Sequence, residues 1–199
     1  MSGALPTSPE FNALSFKDEV NTLVSISDSG RRFARQIDNQ RWKFTCKYTN
    51  LSRAEFAPIF AFITKQRGSK ETFTITPPNL KNALGSETTT ISVNGSHTAG
   101  DTTIAIDGFN ADSAGSLKAG DFLKFASHTK VYQVVSDVTP SSNAATVTIE
   151  PPLIEALAND STVTYDAVPF TVYLTSGVQS YSMGINNLYN YEFDVCEAF

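Results

Sequence analysis

Two cysteines, two histidines, two methionines and one tryptophan are all that 199 residues hold of these types, and that scarcity narrows the chemistry first. Neither Cys46 nor Cys196 has a Cys or His partner at a zinc-ligand spacing, and His97 and His128 each stand alone, so no metal centre is expected. Cys46 falls on the aromatic face of its segment, whereas Cys196 lies opposite the alternating Tyr189, Tyr191, Phe193 and Val195. Two buried or half-buried thiols that do not meet are packing residues of the kind a reducing compartment permits. The chain also lacks a GxSxG elbow, an HExxH helix and a glycine-rich phosphate loop, so neither a catalytic site nor a cofactor is expected. Asp121, Ser127 and His128 are near one another in sequence, but a strand and its following turn aim such neighbours at different faces. No apolar run approaches the roughly 20 residues that cross a bilayer. The start, MSGALPTSPEFNAL, has neither the basic opening nor the apolar stretch of a secretory leader, so the expectation is cytoplasmic synthesis and no membrane partner.

What is present describes a folded β-rich protein. Hydrophobic residues make up 41% and charged residues 18%, with a formal net charge of −5, far from the charge excess of disordered chains. One helix is expected, between Ser52 and Gln66, where Phe56, Ile59, Phe60 and Ile63 recur on one face at the i, i+3, i+4, i+7 spacing. Ser52 and Glu55 match a capping box, Gly68 suits a left-handed stop, and Lys65 and Arg67 suit the negative end of the dipole. Pro58 is too deep for a first-turn proline, so the helix either kinks there or begins its regular part there. Strands are expected on both sides of it. Trp42, Phe44, Cys46 and Tyr48 alternate with Arg41, Lys43, Thr45 and Lys47, and Phe73 and Ile75 alternate with threonines until Pro77 and Pro78.

Residues 1–15 read as a mobile or partner-dependent arm, with Pro6 and Pro9 and little periodicity. Val20, Thr22, Val24 and Ile26 alternate as a strand, and Asp28, Ser29 and Gly30 signal a turn. The stretch RRFARQIDNQR then makes a basic hairpin. Arg31, Arg32, Phe33, Arg35 and Arg41 are the candidate interface residues, aimed at phosphate, a membrane or an acidic protein partner, against the plainer reading of an exposed hairpin with a solvated face.

From Ser86 to Ala167 the composition changes. Three lysines face ten acidic residues, a net of −7, and Ser, Thr, Ala, Gly and Asp dominate. Apolar alternation in short runs around 91–93, 102–106, 121–125, 130–135, 145–149 and 162–166, with Asn94-Gly95 and Asp107-Gly108 as turn signals, suits a small barrel or sandwich of OB-like type. A trace of helical periodicity covers 153–157. After Val168 the earlier pattern returns through Phe170, Val172 and Leu174 and then Tyr189 to Val195. The expected fold is therefore mainly β, a sandwich or split barrel with one α-helix, carrying an inserted barrel. Residues 1–85 and 168–199 form one discontinuous domain and 86–167 the acidic insert.

The segment LKAGDFLKFASHTKVYQVV (117–135), followed by EPPLIEAL (150–157), resembles the inserted domain of the distal tail proteins of T-five-like siphophages, phages with long flexible tails. The frame resembles that family too: the strand at Trp42, the helix from Arg53, the KQRGSKETFTI turn and a barrel entering near residue 86. The resemblance implies a structural virion protein at the tail tip. Such a protein forms a ring, typically a homohexamer, that joins the tail tube to hub and fibre proteins around a channel through which DNA passes. A sheet with free edges fits such closure, because docking onto copies hides those edges.

Two other partners come from the barrel. Phe122, Phe125, Tyr132 and Tyr165 could stack bases, but a net of −7 opposes phosphate binding, which depends on Lys and Arg displacing counterions. A host glycan suits it better, with Lys124, His128, Lys130 and Tyr132 as the candidate ligand face, and adhesion is the alternative function.

Overall fold

In the computed structural model the described residues are 2–37, 39–110 and 115–199; Met1 of the arm, Asp38 of the basic stretch and residues 111–114 of the acidic insert lie outside them. The first elements are β1 (Ala13–Glu19), β2 (Thr22–Ile26), β3 (Arg32–Gln36), β4 (Arg41–Leu51), α1 (Arg53–Lys65) and β5 (Phe73–Ile75). Six strands follow: β6 (Ile91–Val93), β7 (Thr103–Asp107), β8 (Phe122–Phe125), β9 (Tyr132–Val134), β10 (Ala144–Glu150) and β11 (Thr162–Thr164). Then come β12 (Phe170–Leu174), β13 (Tyr181–Met183) and β14 (Tyr189–Glu197). The chain divides into two compact units, one of Met1–Glu10, Thr72–Val172 and Ala198–Phe199, the other of Phe11–Glu71 and Tyr173–Glu197. Among the described residues the class is mainly β with one α-helix and a closed barrel, as the sequence leads one to expect.

In the second unit β4 lies between β1 and β14, and all three run antiparallel. Its residues alternate as expected, with Trp42, Phe44, Cys46 and Tyr48 buried, because one pleat face meets the core and the other meets water. The capping box forms: Glu55 N–H donates to Ser52 Oγ and Ser52 N–H donates to Glu55 Oε2 at 2.8 Å. The helix runs through Pro58 instead of starting there. Phe56, Ile59 and Ile63 are buried, and Phe56 stacks 4.7 Å from Tyr189 of β14. The left-handed stop begins at Arg67 (φ 56°) and continues through Gly68 (φ 69°), one residue earlier than expected.

The 1–15 arm is a correction. Ser2 N–H and Leu5 N–H donate to the carbonyls of Thr72 and Thr74 in the first unit, and Leu5 is buried. In the second unit the same stretch is already strand from Ala13. Extended backbone can pair along a strand edge without any side-chain periodicity, so the pattern gave no sign of it.

The first unit contains the barrel, closed in the order β10-β7-β6-β11-β8-β9. Alternate side chains fill it: Ile91, Val93, Ile104, Ile106, Leu123, Phe125, Val134, Val147, Ile149 and Val163 are all buried, which is how a small barrel packs its interior. The barrel repeats one turn. Asp101 N–H and Asp121 N–H donate to the carbonyls of Thr98 and Lys118 three residues back, and each carboxylate accepts the N–H of that same residue, at 2.9 and 2.8 Å. Gly100 and Gly120 hold the third position with φ of 96° and 103°, as a type II turn demands. A third copy at Ala158–Ser161 has Asp160 at φ 62° in that place. The turns lead into β7, β8 and β11. The expected helical trace at 153–157 is absent: Leu157 instead bridges His97 in extended conformation. β12 begins in this unit, paired with β5.

Candidate functional site

The basic stretch does form a hairpin. Among the described strands β2 and β3 pair only with each other, from Thr22 opposite Gln36 to Ile26 opposite Arg32. Its turn is closed by Ser27, whose N–H donates to the Arg31 carbonyl and whose hydroxyl accepts the Arg31 N–H. Every residue of both strands is exposed. Val20, Leu23, Val24, Ile26, Phe33 and Ile37 are 44–68% exposed, so the hairpin shows apolar side chains to solvent on both of its faces. The Arg31 guanidinium sits 5.3 Å over the Phe33 ring. A two-stranded hairpin by itself is marginally stable in water, and clustered exposed apolar residues mark an interaction site. Arg41 does not belong with the other four: it opens β4, half-buried, opposite Glu19 of β1.

The candidate ligand face of the barrel is corrected by burial. Lys130 and Tyr132 are fully buried and His128 is 3% exposed. A carbonyl can only accept, so His128 Nε2, 3.4 Å from the Ala156 carbonyl, is assigned the hydrogen, and Nδ1 accepts from the Tyr132 hydroxyl at 2.8 Å. That hydroxyl in turn accepts the Ile154 N–H. Lys130 Nζ lies 4.9 Å from the centre of the Phe199 ring. Lys124 is half-buried and donates to the Pro169 carbonyl and the Thr171 hydroxyl at 3.0 and 3.2 Å. These four groups brace the unit; they do not line an open face.

Two buried carboxylates do similar work that side-chain periodicity could not reveal. Asp121 accepts the N–H groups of Leu84, Gly85 and Lys118, which ties the chain entering the barrel to the turn before β8. Gly85 is fixed by this approach, since a Cβ there would lie 2.1 Å from the Ser116 carbonyl oxygen. Glu87 accepts from the N–H groups of Thr88, Thr89 and Asn110 and from the Thr89 hydroxyl. The signal available beforehand was the repeated A-G-D at 99–101 and 119–121, a turn in which Asp is required by the backbone and not by a ligand.

The second unit also has a polar cleft of about 460 Å³, lined by Lys47, Ser180, Ser182, Asn190, Glu192 and Asp194 among others. Lys47 Nζ is 3.6 Å from Glu192, and Asp194 accepts the Thr45 hydroxyl at 2.6 Å. Among the described residues no group of three or more His, Cys, Asp or Glu side chains could hold a metal, and no helix is long and apolar enough to cross a membrane.

Asp121 and Glu87 thus serve the backbone of their own unit, and the β2–β3 hairpin shows apolar and basic side chains to solvent. Residues 81–168, the barrel and its flanks, match the family model described as the B domain of the distal tail protein pb9. No curated protein matches the chain.

Proposed function

We propose that the chain assembles with copies of itself, as a hexamer, into a ring at the distal end of a siphophage tail tube. The ring links the tube to hub and fibre proteins and leaves a channel for DNA. In this reading residues 1–85 and 168–199 form the ring, the OB-like barrel at 86–167 is carried on it, and the protein is made in the host cytoplasm and resides at the virion tail tip. The observation that carries it is the β2–β3 hairpin, exposed along its full length with Leu23, Val24, Ile26 and Phe33 in solvent, in a chain that also carries a segment matching a distal tail protein domain. Arg31, Arg32, Phe33 and Arg35 supply its contact surface; Arg41 stands apart from it. Purified protein is expected to sediment as a homo-oligomer and to give annular particles in negative stain. Reversing Arg31, Arg32 and Arg35 to glutamate should weaken assembly and leave the melting temperature unchanged, because exposed charges contribute little to the fold of one chain. A species that stays monomeric at every concentration sinks the reading. Glycan adhesion through Lys124, His128, Lys130 and Tyr132 has no comparable support, since internal partners occupy all four.

A further inference from the structure

We infer that the β2–β3 hairpin of one copy docks on strand β13 of the next, joining two bare strand edges into one ladder; this rests on the ring reading above. A ring that closes by rotation needs two different surfaces on each chain, because the contact is head-to-tail. The second unit provides two. The hairpin is one, with an unpaired edge on each side among the described strands. β13 is the other: it pairs with β14 alone, and all three of its residues are exposed.

The side chains around the two edges match in kind. The segment carrying β13 shows Val178, Tyr181, Met183 and Ile185 to solvent at 51–88% exposure, an apolar counterpart to Leu23, Val24, Ile26 and Phe33 of the hairpin. The charges are complementary as well. Arg31, Arg32 and Arg35 make no ion pair among the described residues. The cleft beside β13 presents Glu192 and Asp194 against the single ammonium of Lys47, and that ammonium is taken by Glu192. Asp194 accepts the Thr45 hydroxyl and has no cation in an ion pair among the described residues, so an arriving guanidinium finds a carboxylate to accept its N–H groups. Strand addition supplies affinity through main-chain hydrogen bonds, and the flanking side chains set the register.

Variants of the full chain that each carry one added cysteine test this. Ile26→Cys and Met183→Cys each place a thiol at an exposed position, while Cys46 and Cys196 are buried and serve as the unreactive background in wild type. A long, flexible bismaleimide added to an equal mixture of the two variants should give a covalent dimer about tenfold or more above either variant alone. The double variant should give a ladder ending at the ring size. Asp194→Arg should reduce the mixed cross-link, and Arg35→Asp in the partner should restore part of it. Annular particles without the mixed cross-link overturn the docking and leave the ring standing. Ile26→Cys cross-linking alone as strongly as the mixture overturns it too, since the hairpins would then meet each other. Absence of annuli and of every cross-link defeats the ring reading first and the docking with it.

Discussion

At the scale of single residues, two carboxylates of the barrel unit, Asp121 and Glu87, are turned inward to the backbone. A buried carboxylate is costly unless donors surround it, and Asp121 and Glu87 are each met by several N–H groups. For Glu87, burial pushes the carboxyl up, but the Thr89 hydroxyl and the N–H groups of Thr89, Thr88 and Asn110 outweigh it and hold the group below its ordinary value of 4.5. A carboxyl depressed in the folded state contributes stability that is present above the unfolded value and lost as pH falls through the folded one. Glu87→Gln should therefore flatten the loss of stability as pH falls below the ordinary carboxyl value of 4.5, relative to wild type, read by urea unfolding at several pH values. An unchanged acid slope would show that Glu87 is not the group responsible. Burial also pushes the Cys46 thiol up to about 12, which keeps it an inert packing atom, as its place on the aromatic face led one to expect. His128 was legible as a turn residue, but its pairing with Tyr132 was not, because adjacency within a turn does not say which rings end up inside.

At the scale of elements, the helix and its start were the most legible part of the chain. Ser52, Glu55 and the apolar spacing all act within one or two turns, so sequence alone carries the geometry. The cap is reciprocal, and hydrogen bonds from the Ser52 hydroxyl and N–H hold the Glu55 carboxyl below its usual range. Ser52→Ala should lower stability by about 1 kcal/mol, with the urea slope unchanged; a loss near zero would mean that the first turn is held by packing alone. β2 was legible as a strand by its alternation, yet all of it is exposed, because period two reports a pleat and says nothing of whether a second layer covers it. β1 was missed for the opposite reason: its residues from Ala13 to Glu19 pair with β4 while showing little burial contrast.

At the scale of the whole molecule, the barrel carries its own core and the matched family segment surrounds it. Residues 81–168, expressed alone, should unfold in one cooperative transition by circular dichroism. That transition should fall below the transition of residues 81–172, which keep the bonds from Lys124 to Pro169 and Thr171 and the contact of Phe122 with Phe170. A broad, non-cooperative melt would show that the barrel depends on the rest of the chain. Composition and apolar alternation by themselves determined the β class, the single helix, the five or six short strands of the insert and its acidic balance, because each depends on neighbours within a few positions. Only the tertiary structure decided that the six strands close, that Lys130, His128 and Tyr132 are walled in, and that the β2–β3 hairpin is left uncovered. Burial is a property of what arrives from elsewhere in the chain, and no local pattern encodes which strand edge will find a partner.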